Sequence, residues 1–431
     1  MTTGSLPQAR YLAHPGGSIE GELTAPGDKS ISHRALIAGA RCAEPLRIAN
    51  LNPGRDVRAT REALEALGVR IELSGPELLV CGPQLSPPRG VLECMNSGST
   101  ARMLLGACAG ANLQASFDGD SSLRRRPMEP VAAQLRAFGA KIDTTQGRLP
   151  LALHGTPQVE TRRFILLAPS AQVKSALLFA GVFGGVAIRV DGDRGSRDHT
   201  ERLLRYLSAD IEWNQRSVSL SGAMLRPRPV AVAGDFSAAA FFITAAAITP
   251  GSVIVIRDVG VNPTRTGLID VLRAMGAAIE LRNERESCGE PVADIAVEHR
   301  PLMATTVGAD LALRAIDELL LVAVAAAFAS GTTAISGIEA LRTKESDRAA
   351  AIERLLAAVG IESAIEGRTL RITGGAPAAR GSLISTEGDH RVAMTAAALA
   401  CAAGPLEVAE AESVDVSFPE FAPALASLRR R

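Results

Sequence analysis

Pro26-Gly27-Asp28-Lys29-Ser30-Ile31-Ser32-His33-Arg34-Ala35-Leu36-Ile37-Ala38-Gly39-Ala40 opens on a turn and closes on a run of small apolar residues. Proline and glycine favour the turn, and Asp28 is a side chain suited to capping the first free N–H groups of a helix. The run from Ala35 to Ala40 carries no charge, so it predicts a buried helix. Between cap and run stand Lys29, Ser30, Ser32 and Arg34. Backbone N–H groups at a helix start, a hydroxyl and two cations favour a phosphate. The same residues also make an ordinary capped helix with two surface cations. Recurrence of the pattern separates the two readings.

The pattern does recur. A polar start followed by a small-residue apolar helix appears at Asp28, Asn96, Ser170, Asp235, Asp317 and Asp389, at intervals of 65 to 82 residues. Each copy is followed by a second, amphipathic helix that usually ends in Gly. In the copy from Arg125, Val131, Leu135 and Phe138 share one face at helical spacing, and Gly139 suits a left-handed cap. Short β-branched segments such as Val253-Ile254-Val255-Ile256 and Leu370-Arg371-Ile372 read as strands. Each unit therefore reads strand, helix, strand, helix, then one or two strands. Six units of this length divide into two domains of three, with a break near Gly234-Asp235 after the Pro-rich Arg226-Pro227-Arg228-Pro229. The apolar helices are expected inside and the amphipathic ones outside, an α/β class with interior helices.

Composition narrows the function. The 431 residues are 47% hydrophobic but only 3% aromatic, so the cores are built from Ala, Val, Leu and Ile. Lys plus Arg equals Asp plus Glu at 46 each, which argues against a general nucleic-acid or anionic-membrane binder. The six cysteines include no Cys-x-x-Cys pair and the six histidines no His-x-x-x-His, so buried free thiols and no metal site are expected. Met1 to Gly17 contains no apolar targeting core, and the longest wholly apolar run, Leu319 to Ala329, is too short to span a bilayer. A cytoplasmic protein is expected.

If the helix starts face one cleft, they gather Lys29, Ser30, Arg34, Asn96, Arg102, Arg126, Ser170, Gln172, Lys174, Arg197, Asp317, Lys344, Glu345, Arg348, His390 and Arg391. Cations at helix starts oppose the macrodipole, and a polyanionic ligand would compensate them. Among the carboxylates, Asp317 and Glu345 stand beside helix starts, where a carboxylate set among cations suits acid–base work. An N-cap and a first-turn dipole partner are the plainer readings of these two. Neither a dinucleotide fingerprint nor a nucleoside-triphosphate loop is present.

The segments PGDKSISHRALIAGA, NSGSTAR, GDSSLRRRPM, APSAQVKSALL, RDHTE, GDFSAAAFF, NPTRTG, IDELLLVAVAAAFA, LRTKESDR, GDHRVAM and SFPEF run from Pro26 to Phe421. Together they resemble the 5-enolpyruvylshikimate-3-phosphate synthases, the 3-phosphoshikimate 1-carboxyvinyltransferase family. The SAQVKSA form is similar to a divergent bacterial subgroup. The resemblance implies a two-domain inside-out α/β barrel, each domain three βαβαββ-like repeats, with residues 27–234 in one domain and 1–26 with 235–431 in the other. It implies an interdomain active site, a monomer, and no metal or organic cofactor. The substrates implied are phosphoenolpyruvate and shikimate 3-phosphate, with no nucleic-acid or membrane partner.

Residue by residue, the resemblance places Lys29 on both substrates. It places Ser30, Arg34, Ser170, Ala171, Gln172, Arg197, Asp317 and Lys344 on shikimate 3-phosphate. Gly98, Arg126, Gln172, Arg348 and Arg391 fall on phosphoenolpyruvate. Asp317 takes the 5-hydroxyl proton and Glu345 protonates the methylene carbon. Three positions depart from many members: Ala171 replaces a Ser, Ala340 an Asn and Val416 a Lys. Gly98 is the residue of glyphosate-sensitive members, whereas the change at Val416 alters a phosphoenolpyruvate contact, so inhibitor response stays open. The rival readings are the enolpyruvyl transferase acting on UDP-N-acetylglucosamine, a non-catalytic phospho-sugar binder and an RNA-end-processing relative. The Asp-Lys-Ser motif, the two carboxylates and the balanced charge weigh against these in turn.

Overall fold

A computed structural model describes residues 10–11, 17–82, 84–156, 162–222 and 224–429. Most of Met1 to Gly17 lies outside the described residues. The chain divides into two compact units. The N-terminal unit holds Pro26–Ala233 together with the short piece Glu286–Pro291. The C-terminal unit holds the residues before Pro26, Gly234–Arg285, and Val292 onward.

In the N-terminal unit the helices are α1 (Lys29–Gly39), α2 (Arg55–Ala66), α3 (Gly98–Gly110), α4 (Ser121–Arg125), α5 (Glu129–Phe138), α6 (Ala171–Gly184) and α7 (His199–Tyr206). Three sheets of four strands accompany them. The pattern is clearest in the middle sheet. Leu92–Glu93 runs parallel to Gln114–Asp118 across α3, and Gln114–Asp118 pairs antiparallel with Arg148–His154. Ile142–Thr145 closes that sheet as a hairpin with Arg148–His154. The sheet holding Leu46–Ala49 takes its parallel edge from Val230–Ala231, far along the chain.

The apolar helices are interior because they offer no polar face. In α3 and α6 nearly every residue after the first turn is buried, and small side chains let the two cross closely. A Cβ on Gly106 would lie 2.1 Å from the Ala176 carbonyl oxygen, and one on Gly110 would lie 2.2 Å from that of Ala180. Only glycine permits that approach. The amphipathic helices bury one face. In α5 that face is Val131, Ala132, Leu135 and Phe138, and Gly139, at φ 116°, ends the helix.

The C-terminal unit repeats the scheme with α8 (Phe236–Ile248), α9 (Gly267–Ala274), α10 (Ala309–Arg314), α11 (Leu319–Ala327), α12 (Arg348–Ala358), α13 (His390–Ala403) and α14 (Phe421–Ser427). Every residue of α8 and α11 is buried. Two of its sheets have four strands and one has three. Glu20–Thr24 supplies the parallel edge beside Val253–Gly260, which brings the start of the described chain into this unit. In Val253–Gly260 the buried Ile254 and Ile256 face Val297 and Ile295 across an antiparallel pair. Among the described residues no helix is long and apolar enough to cross a membrane.

In the copy that starts at Asn96, the cap of α3 is Ser97, whose hydroxyl accepts from Thr100 N at 3.1 Å. One expectation changes in part. The thiols of Cys42, Cys94, Cys108 and Cys401 are buried, but Cys81 and Cys288 are half exposed. Burial pushes the Cys108 thiol up to about 12.

Candidate active site

In the N-terminal unit the starts of α1, α3 and α6 carry the candidate residues. Asp28 caps α1 by accepting from Ile31 N at 2.9 Å, which sets Lys29 and Ser30 in the first turn. Lys29 donates to Asp56 Oδ2 at 2.8 Å, a pairing the sequence reading missed because Asp56 looks like a dipole partner at the start of α2. Buried hydroxyls lock the helix starts together: His33 Nδ1 lies 2.6 Å from Thr60 Oγ1, and Thr60 2.6 Å from Thr100. Burial, then the charges of Lys29 and Arg34, hold the His33 imidazole well below its ordinary pKa, so it is neutral.

Arg34 is 3% exposed. It donates to Thr200 Oγ1 at 2.7 Å, Ser30 O at 2.8 Å and Ser175 Oγ at 3.0 Å. Among the described residues no carboxylate lies within ion-pair distance of it. Burial lowers its pKa to about 10, with Glu201 and Asp28 opposing and the nearby charge of Arg197 adding to the fall. A buried guanidinium beside a second cation, without a paired carboxylate, is the electrostatic setting in which an anionic ligand is favoured.

Gln172, in the first turn of α6, accepts from Arg102 Nη1 at 2.9 Å and donates to Ser99 Oγ at 3.0 Å. Its amide is thereby oriented by α3. Ser170 caps α6 by accepting from Val173 N at 3.3 Å, and Ala171 is its first residue. Arg126 reaches Asn96 Oδ1 and Ser122 Oγ. Gly98 opens α3 beneath these cations: a Cβ there would lie 2.4 Å from Arg102 Nη1 and 3.5 Å from Arg126 Nη1.

The C-terminal unit gathers Asp317, Lys344, Glu345, Arg348 and Arg391. Arg348 is fully buried at the start of α12, and both candidate carboxylates meet it. Its Nη2 lies 2.7 Å from Glu345 Oε2, and its Nη1 lies 3.5 Å from Asp317 Oδ1. Asp389 fixes the guanidinium from behind with contacts of 2.8 and 3.2 Å. Burial opposes the Arg348 charge, but Asp389 and Glu345 outweigh it and raise its pKa. Lys344 donates to Asp317 Oδ1 at 3.2 Å, and Arg391 donates to the Asp317 carbonyl at 3.1 Å.

The plainer readings of the two acids do not hold. Glu318, not Asp317, occupies the N-cap position of α11, and Asp347, not Glu345, caps α12. Lys174 is a correction. Grouped by sequence with the ligand-facing cations, it is 1% exposed and bound to Asp193 and Glu201 at 2.5 and 2.7 Å. His390 is likewise buried in α13. Arg197 lies half-buried in the loop between Asp191 and α7. Asp56, Asp389, Thr200 and Ser175 are supporting residues whose local sequence reads as capping or core, so only spatial proximity reveals them. An open groove lined by Arg89, Val91, Gln114, Ser116 and His154 contains none of the candidates.

Residues 13–425 match the family model of EPSP synthase (3-phosphoshikimate 1-carboxyvinyltransferase). A 3-phosphoshikimate 1-carboxyvinyltransferase of Anaeromyxobacter sp. (strain Fw109-5) is 43% identical, covering 97% of each chain. One from Geobacter sp. (strain M21) is 41% identical over 95% of this chain and 97% of the relative. Among solved structures, the EPSP synthase from Acinetobacter baumannii superposes with a TM-score of 0.86 at 36% identity, covering 98% of each chain. The enolpyruvyl transferase NikO from Streptomyces tendae, at 18% identity and a TM-score of 0.74, shares the fold.

Proposed function

Because this chain belongs to the EPSP synthase family and transfers the enolpyruvyl group of phosphoenolpyruvate to shikimate 3-phosphate, we propose that its two residue clusters divide that reaction between them. The transfer is a step of aromatic amino acid biosynthesis by the shikimate pathway. In the N-terminal unit, Lys29, Ser30, Arg34, Ser170, Ala171, Gln172 and Arg197 hold shikimate 3-phosphate. Gly98, Arg126 and Gln172, with Lys29 shared, hold phosphoenolpyruvate. From the C-terminal unit Arg348 and Arg391 clamp phosphoenolpyruvate, and Lys344 reaches the shikimate hydroxyls.

Asp317 takes the proton of the 5-hydroxyl as its oxygen bonds to C2 of phosphoenolpyruvate, and Glu345 delivers a proton to C3. The tetrahedral adduct then loses phosphate. As that C–O bond breaks, C3 returns its proton to Glu345 and the double bond reforms. The released phosphate carries the proton first taken from the hydroxyl, so the count closes. The observation that supports this division best is Arg348 touching both Glu345, at 2.7 Å, and Asp317, at 3.5 Å. One buried cation holds acid and base in a fixed relation.

The finer architecture belongs to the same reading. Each unit is taken as an inside-out barrel, supported by three sheets accompanying wholly or mostly buried helices. The protein is taken to act as a cytoplasmic monomer, a setting that suits its free thiols.

Phosphate release tests the assignment. Asp317→Ala is expected to bind shikimate 3-phosphate normally while turnover falls by roughly 10²- to 10⁴-fold, the usual effect of losing a general base. Unchanged phosphate release in that variant would remove Asp317 from the mechanism.

A further inference from the structure

Lys174 is a buried cation that the reaction does not use. It lies in the second turn of α6, two residues beyond Gln172. Its ammonium is 1% exposed and reaches Asp193 Oδ2 at 2.5 Å, Glu201 Oε1 at 2.7 Å and the Ser196 carbonyl at 3.5 Å. Ser196 N donates back to Asp193 Oδ1 at 3.2 Å. Lys174 therefore ties down the Gly192–Asp198 loop at Asp193 and Ser196, and the start of α7 at Glu201. Arg197 sits in that loop, four residues from each of the carboxylates that flank it.

The same cluster reaches Arg34. Ser175, next to Lys174, donates to the Ala171 carbonyl at 2.6 Å, so in its 2.6 Å contact with Thr200 the threonine hydroxyl is the donor. Arg34 Nε and Nη2 donate to that Thr200 and Ser175 pair. Glu201 also opposes the burial penalty on Arg34. Two ammonium or guanidinium charges and two carboxylates thus balance inside the protein. Burial works against the Lys174 charge, but Glu201 and Asp193 outweigh it and raise its pKa. Without the ammonium, Asp193 and Glu201 are buried carboxylates that have lost their cation, and the loop loses the contact that fixes it to α6.

We propose that Lys174 is a positioning residue for shikimate 3-phosphate: paired with Asp193 and Glu201, it sets the Gly192–Asp198 loop so that Arg197 and Arg34 are held where one anionic substrate meets both. The proposal rests on the reading of Arg34 and Arg197 as contacts to that substrate. A buried ion triad with no part in binding would support stability alone. The positioning role acts on one substrate and leaves the other unaffected.

Lys174→Met keeps an unbranched side chain, one heavy atom shorter, and removes its charge. In the full-length enzyme it is expected to raise KM for shikimate 3-phosphate roughly tenfold, with kcat and KM for phosphoenolpyruvate within about twofold. Asp193→Asn, which leaves Lys174 paired with Glu201, is expected to raise the same KM by a smaller factor. It decides the question if Lys174→Met does not fold. A fall in melting temperature with KM for shikimate 3-phosphate unchanged would overturn the proposal. So would a parallel change in both KM values and kcat, the mark of general loosening. Arg34→Gln is the control for the underlying site. If it leaves shikimate 3-phosphate binding intact, the site reading fails. If it weakens binding while both loop variants behave as wild type, only the positioning role fails.

Discussion

Arg348 shows how much one side chain decides. It is buried, bound from behind by Asp389 and in front by Glu345, with Asp317 beside it. Removing either partner of a buried pair of this kind typically costs about 3–5 kcal/mol, because the other charge is stranded. Gly98 decides by absence. A Cβ there would overlap Arg102 Nη1 at 2.4 Å, so Gly98→Ala must push Arg102 off Gln172. Gln172 and Arg126 both serve phosphoenolpyruvate in the proposed site. Gly98→Ala is therefore expected to raise KM for phosphoenolpyruvate roughly tenfold, with a smaller effect on KM for shikimate 3-phosphate. Steady-state kinetics varying each substrate checks this. The candidates were legible in the sequence because caps, hydroxyls and cations cluster at helix starts. Lys174 was misread for the same reason: a lysine in the second turn looks like its neighbours until Asp193 and Glu201 are seen around it.

At the scale of elements, the contact between α3 and α6 matters most to the N-terminal cluster. These helices carry Gly98 and Gln172 at their starts and cross where glycine meets the carbonyls of Ala176 and Ala180. Gly106→Ala would drive a methyl group to 2.1 Å from backbone, and no side chain is available to yield. The variant is expected to lose stability by about 1–3 kcal/mol or more, as overpacked cores do. A lowered denaturant midpoint with an unchanged slope would register it, and an unchanged midpoint would mean the helices part freely. The apolar runs were readable as interior helices because a helix with no polar face cannot sit at a surface. Their partners were not readable, since each run is chemically like the others.

For the whole molecule, acid is the informative stress. In the C-terminal unit Asp294 accepts from Arg257 and Asn283 at 2.7 Å each and from Asp258 N at 3.0 Å. Burial opposes this, yet the bonds from Asp258 N, Asn283 and Arg257 hold its pKa down at about 2. Arg348, acting against burial, likewise holds Asp389 below its ordinary value. A carboxylate lowered on folding contributes stability that is complete above its ordinary pKa of 3.8 and is lost as pH falls through its folded value. Asp294→Asn is expected to flatten the decline of the denaturant midpoint between about pH 5 and about pH 2. An equally steep decline in the variant would show that Asp294 does not govern acid sensitivity.

Sequence alone determined the six-fold alternation of apolar and amphipathic helices and the polar residues at their starts, and it singled out Asp317 and Glu345 as the candidate acids. Such features depend on neighbours within a turn or two, and periodicity records them. Tertiary structure decided which charges are paired and which strands close each sheet. Lys29 meets Asp56, Arg348 meets Asp389, and Glu20–Thr24 lies beside Val253–Gly260. Those partners are tens to hundreds of residues apart, and no local pattern links them. The short piece Glu286–Pro291 joins the N-terminal unit, where Glu290 Oε1 lies 2.8 Å from His199 Nδ1, for the same reason. Whether a cation is a ligand contact or an internal prop depends on what surrounds it in space, and only the folded chain brings that together.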